Sequence, residues 1–216
     1  MSKSYNVQAN VATAGVGVGS RKAGNTGGAL VNVRITDVFA GPRAAATSAA
    51  TSHLLGAAGA GQLLTAGVTT PTVFNAIDFP RNLTLWADGA CTSAITVTGT
   101  DQFDAVISEV LTANGAAIVA GTKVFKTITG VSCAAFTVGA QTVFLGVGSI
   151  LGSSRKMNSL GIDGAVYTTA NDPTTAVQET TRPVKAVTAN VHGVTFNTAL
   201  ADTKTYLLAY GSSEMR

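Results

Sequence analysis

Two neighbouring stretches, Asn82-Leu83-Thr84-Leu85-Trp86-Ala87 closed by Asp88-Gly89, and Ala94-Ile95-Thr96-Val97-Thr98, decide how this chain folds. In the first, leucines alternate with Thr84 and Trp86, and Asp-Gly is a tight-turn pair. In the second, Ile95 and Val97 share one face and the threonines the other. Side chains of an extended backbone point alternately to opposite sides, so period two marks a strand with one buried face. The same period runs through residues 142–147, where Val143, Leu145 and Val147 fall together, and through Val194 and Phe196. It returns in residues 203–210, with Tyr206, Leu208 and Tyr210 on one side. Turn pairs at Asn114-Gly115, Asp163-Gly164 and Asp172-Pro173 separate these runs. Short strands between frequent turns predict an all-β body, an antiparallel β-sandwich of jelly-roll type with at most one short helix.

Two stretches carry a helical signal. Residues 44–60 are Ala-rich and follow Gly41-Pro42, which suits one or two turns of helix ended by Gly56, Gly59 and Gly61. In residues 101–112, Phe103, Val106, Ile107, Val110 and Leu111 have the spacing of an amphipathic helix, with Asp101 as N-cap and Gly115 as stop. Pattern alone favours helix there, whereas the β-branched Val106, Ile107 and Val110 lean towards strand. Ahead of the body lies a different composition. Gly15-Val16-Gly17-Val18-Gly19 and Gly24-Asn25-Thr26-Gly27-Gly28 make residues 1–36 costly to order, which predicts an extended N-terminal arm and a β body over residues 37–216.

The chain has 216 residues, of which only 12% are charged, about half the usual share, while 46% are hydrophobic. That balance argues against disorder, which requires few branched apolar residues and high net charge. No apolar run reaches the ~18 residues of a membrane-crossing helix, so no membrane partner is expected. Met1-Ser2-Lys3-Ser4-Tyr5-Asn6 leads into no apolar segment of signal-peptide type, which predicts a protein made in the cytoplasm. The net charge of +3 is unevenly placed: Lys3, Arg21, Lys22 and Arg34 all precede the first acid, Asp37. Such a segment suits docking on a neighbouring protein; four charges are too few to argue for nucleic acid. Cys91 and Cys133 form no close pair and read as free, buried thiols.

Motifs of chemistry fail one by one. Gly15-x-Gly17-x-Gly19 has Ser20 where a dinucleotide fingerprint needs its third glycine, and residues 19–26 have Asn25 where a P-loop needs lysine. Gly130-Val131-Ser132-Cys133-Ala134 lacks the last glycine of a nucleophile elbow, which leaves Ser132 and Cys133 as a buried strand end. His53 and His192 are the two histidines, and neither they nor the cysteines have zinc-site spacing. The eleven acids cluster only at Asp101 and Asp104. No cofactor and no metal site is therefore predicted. A hydrolase with an unfamiliar site built on Ser132 or Cys133 is the enzymatic alternative. Trp86, the one tryptophan, reads as a core or edge residue or as an interface anchor.

Several fragments resemble a family of small virion proteins of tailed bacteriophages. These are Pro80-Arg81-Asn82-Leu83-Thr84, Ile95-Thr96-Val97-Thr98-Gly99-Thr100-Asp101, Ile107-Ser108-Glu109-Val110-Leu111-Thr112, and Gly121-Thr122-Lys123-Val124-Phe125-Lys126-Thr127-Ile128, with Val147-Gly148 and Leu151-Gly152 after them. His192-Gly193-Val194-Thr195-Phe196-Asn197-Thr198-Ala199 and Thr203-Lys204-Thr205-Tyr206-Leu207-Leu208-Ala209-Tyr210 are similar to the terminal hairpin of such proteins. The resemblance lies in the order of the fragments, and residues 1–60 take no part in it. It implies a strand at residues 103–112 and a cement or decoration subunit bound outside the major capsid protein, as a dimer or trimer with copies of itself. Interface residues expected on that reading are Arg21, Lys22 and Arg34 on the arm, Phe39, Pro42 and Arg43 where it joins the body, and Trp86. A neck, tail-tube or tail-fibre component is the alternative within the particle. A receptor- or glycan-binding β module is the alternative of another class, for which eight Phe, four Tyr and one Trp are a poor supply of aromatic surface.

Overall fold

The computed structural model describes residues 33–47, 51–52, 54–55, 62–64, 74–87, 89, 91–133, 141–157, 166–170, 176–178, 184–185, 192–196 and 199–212. The chain is all-β, with no α-helix among these residues. Its strands are β1 (Val33–Ala40), β2 (Gln62–Leu64), β3 (Arg81–Ala87), β4 (Ala94–Thr100), β5 (Val106–Thr112), β6 (Val119–Phe125) and β7 (Thr127–Cys133). They continue with β8 (Gln141–Gly152), β9 (Val166–Ala170), β10 (Ala176–Gln178), β11 (Val184–Lys185), β12 (Gly193–Thr195) and β13 (Lys204–Ser212). Three antiparallel sheets result: β1-β13-β9-β10, β11-β12-β8-β3-β6 with β2 also on β8, and β5-β4-β7.

The sheets enclose two apolar cores, so the expected sandwich is a double one. In the first, Leu83 and Leu85 of β3 and Val143, Leu145 and Val147 of β8 meet Ile95 and Val97 of β4, with Leu111, Val131 and Cys133 beside them. In the second, Ile35 and Phe39 of β1 and Tyr206, Leu208 and Tyr210 of β13 close on Leu151 of β8 and Val194 of β12. Each fully buried Leu, Ile or Phe contributes about 1.5–3 kcal/mol, more than the ~1 kcal/mol span of strand propensities, so burial decides which strands form. Strand β8 serves both cores. Its register against β3 slips between them: Leu83 faces Val147 but Arg81 faces Leu151.

The Ala-rich segment forms no α-helix in its described part. Residues 42–47 run extended across β8, where the Ala46 N–H donates to the Val147 carbonyl (2.8 Å) and the Leu54 N–H to that of Leu145 (2.9 Å). The physical reason is size. A Cβ on Gly146 would lie 2.2 Å from that of Ala46, so alanine stands there because the two backbones come close. Residues 101–112 divide. Asp101 Oδ1 accepts the N–H groups of Phe103 (2.8 Å) and Ala105 (2.9 Å), capping a turn in which Asp104 takes φ of 66°. Val106–Thr112 then forms β5, paired with β4 along its whole length. The helical pattern arose because Val106 and Val110, 85% and 58% exposed, point away from the core that holds Leu111. Val33–Thr36, read as the end of the arm, pair with residues 209–212 of β13 and so belong to the body; residues 1–32 lie outside the described residues.

Candidate interaction surfaces

Strand β1 is fastened into the body by polar and aromatic side chains on its inner face. The Asp37 carboxylate, 5% exposed, accepts the Ser154 N–H (2.8 Å) and Oγ–H (2.5 Å) and the Tyr210 Oη–H (3.0 Å). Tyr210 Oη in turn accepts the Arg155 N–H at 3.0 Å. Burial pushes the Asp37 carboxyl above the ordinary carboxylate range, against the pull of the Ser154 and Tyr210 hydrogen bonds and the Arg155 charge. Burial, and then the Asp37 charge, push the Tyr210 phenol up as well. Two residues on, Phe39 lies edge-on to Phe79 (ring centroids 5.4 Å apart) and Phe196 (6.4 Å). Gly41 follows with φ of 63°, and its N–H donates to the Lys204 carbonyl.

The fastening continues through a buried arginine. Arg81, fully buried at the start of β3, donates from Nε to the Gly148 carbonyl (2.9 Å), from Nη1 to the Arg43 carbonyl (2.7 Å) and to Asp78 Oδ2 (3.1 Å). The Arg43 N–H donates to the same Asp78 carboxylate at 2.8 Å. One guanidinium thus ties the segment after β1 to the β8 irregularity between the cores. Burial lowers its pKa, and the Asp78 charge opposes that. Beside this assembly lies a cleft of about 540 Å³ with Ile77, Phe79 and Phe103 on its apolar side and Lys126 and Arg155 among its polar residues. Its one deeply buried carboxylate, Asp37, is already committed to three donors, so the cleft has no free buried base.

The second surface is the outer face of the β5-β4-β7 sheet. Strand β5 presents Val106, Ser108, Val110 and Thr112 outward while Ile107, Glu109 and Leu111 turn in. On β4, Thr96, Thr98 and Thr100 face the same way. On β7 they are joined by Thr127 and Ser132. None of these side chains is charged. Three hydroxyls take part in two hydrogen bonds within the sheet: Thr100 Oγ1 and Thr127 Oγ1 are 2.7 Å apart, and Thr98 Oγ1 donates to the Gly130 carbonyl at 3.3 Å. Charges stand only at the borders, as the exposed Lys126–Asp104 pair (2.6 Å) beyond Thr100 and as Lys123, whose Nζ donates to the Ser108 carbonyl (2.6 Å).

Of the residues expected at an interface, Arg21 and Lys22 lie outside the described residues. Arg34 stands in β1 opposite Gly211, and its side chain lies outside what is described. Phe39 and Pro42 are buried within the chain, so they build the second core and its border and offer no outward contact. Arg43 is exposed and joins them through Asp78 and Arg81. Trp86 is half-buried on β3, edge-on to Phe144 with centroids 4.8 Å apart, and belongs to neither surface. Cys91 and Cys133 are buried thiols not joined in a disulfide, as expected, and Cys133 ends β7. Half-buried Ser132 points to the outer face. His53 lies outside the described residues, while the His192 ring lies edge-on to Phe103 and its Nδ1 accepts the Met157 N–H. Val106 and Val110 were missed as surface residues. Their signal was the apolar spacing that mimicked a helix. No family model, curated protein or solved structure matches the chain.

Proposed function

We propose that this protein is a structural, non-enzymatic subunit of a tailed-bacteriophage particle, a cement protein that binds the outer surface of the major capsid lattice and stabilises it. The observation that carries the reading is the fastening of β1. A subunit that grips its neighbours by an N-terminal arm has to pass the pull on that arm into its body without unravelling. Here the strand that follows residues 1–32 is held by its full ladder to β13, by the buried Asp37 and by the Phe39 ring cluster. The load then passes through Arg43 to Arg81 and the central sheet. Basic Arg21 and Lys22 in the preceding segment suit an acidic protein surface. The resemblance of residues 80–152 and 192–210 to small phage virion proteins supports the same reading.

The test removes residues 1–32 and no more, because Val33–Thr36 are part of the β1–β13 ladder. Labelled full-length and shortened proteins are mixed with phage particles lacking this chain, pelleted and viewed by electron microscopy. Full-length protein is expected over the whole capsid surface, and the shortened protein is expected to stay in solution with unchanged circular dichroism. Retained binding by the shortened protein removes the arm from the account. Label confined to one vertex or to the tail assigns the chain to the neck or tail instead.

A further inference from the structure

The uncharged outer face of β5-β4-β7 is independent of the arm and lies over the first core, whereas β1 belongs to the second. We propose that this face is the contact between two copies of the chain, packed face to face. Val106 and Val110 expose 85% and 58% of their surface on a strand whose inner positions are core, a cost in water that a covering partner removes. Thr98 Oγ1 donates to the Gly130 carbonyl and the Thr100 and Thr127 hydroxyls share one hydrogen bond, so part of the hydroxyl array is already satisfied within the sheet before the face is covered. A face without charge meets its own copy about a two-fold axis with no like charges opposed, while a charged partner surface would lose its hydration and gain nothing.

Association through the β5 edge is blocked. Lys123 Nζ occupies the Ser108 carbonyl, and Glu109 Oε1 takes the N–H groups of Thr122 (2.7 Å) and Lys123 (3.2 Å), closing β5 against β6. Three strands ~4.8 Å apart and seven residues long at ~3.3 Å each span on the order of 300 Å². This is less than half of the ~800 Å² per partner of a standard stable complex. The contact is therefore weak and reversible in solution, and becomes effective where copies are already held side by side, as neighbouring attachment sites would hold them.

Sedimentation equilibrium of the full-length protein from about 10 µM to about 1 mM tests this, a range in which a contact worth only a few kcal/mol is populated at the upper end. The weight-average mass is expected to rise from the 21.7 kDa of one chain towards twice that value. Val110→Lys and, separately, Ser108→Glu are expected to hold it at one chain across the range with unchanged circular dichroism, and Val110→Thr to retain association. A single-chain mass throughout for the parent protein overturns the proposal, and so does association that both charged variants leave intact. Particle binding is read in its own pelleting assay, so failure here leaves the cement reading standing. Loss of particle binding in Val110→Lys, with the parent protein single-chain at all concentrations, assigns the face to the shell and overturns pairing between copies.

Discussion

Arg81 and Asp37 show how much of this fold rests on single polar side chains inside apolar surroundings. Truncating Arg81 to alanine leaves the carbonyls of Gly148 and Arg43 without their donor and Asp78 without its counter-charge. Breaking a buried pair from one side costs about 3–5 kcal/mol, and Arg81→Ala is expected to lower the free energy of chemical denaturation by that order. A loss below about 1 kcal/mol, the range of an exposed pair, would mean that water replaces the guanidinium. Asp37 makes a prediction in pH. Its folded pKa lies above the unfolded value of 3.8, so the folded protein takes up this proton first as acid is added. The resulting contribution is fully present below about pH 4 and is lost as pH rises through the raised folded value. The stability of the parent protein relative to Asp37→Asn is therefore expected to fall from about pH 4 towards neutrality, measured by urea denaturation at each pH. A difference that grows with pH would place the folded pKa below 3.8. Neither role was legible in the sequence. Arg81 sits in an unremarkable Pro80-Arg81-Asn82 stretch, and its partners Arg43 and Gly148 are 38 and 67 residues away. Asp37 was visible only as the first acid of the chain, and its donors lie 117 and 173 residues on.

Among the elements, β3, β4, β8 and β13 could be read before any coordinates because half-burial imprints period two on the sequence. Leu85, Ile95, Val97, Val143, Leu145 and Tyr206 are all fully buried on the faces their alternation assigned. Strand β5 misled because it is apolar on both sides, and two apolar faces offset along a strand read as one helical stripe. Its β-branched composition was the better guide, since branching at Cβ suits the pleat whether or not the side chain is covered. Ala46 misled for the opposite reason: small because it stands at a close approach of two backbones, it looks like a helix former. Gly146 is the other half of that approach. A methyl group there would meet Ala46 Cβ at 2.2 Å and Thr84 Oγ1 at 3.0 Å. Gly146→Ala is expected to cost about 1–3 kcal/mol by overpacking. Hydrogen exchange at the Ala46 and Leu54 amides should speed up as their bonds to β8 open, while the β4–β5 ladder stays protected. Equal loss of protection in both places would show that the crossing segment does not yield on its own.

At the scale of the whole molecule, two cores share one long strand, and the register slip in β8 marks the passage from one to the other. The all-β class was readable from turns and periods; the partition into three sheets was not, because the pairings of β8 with β2, β3 and β12 join segments distant in sequence. The arm and the uncharged sheet face divide the proposed work between holding a shell and meeting another copy. The aromatic residues are divided in the same way. Trp86 lies against Phe144 on the strands that carry the first core, and Tyr206 and Tyr210 are sealed in the second. Among the described side chains, the Trp86 indole reports by its emission on one half, and the Tyr206 and Tyr210 phenols report by near-ultraviolet circular dichroism on the other. Followed together through a melt, they tell whether the halves let go as one body or in sequence, with no label attached.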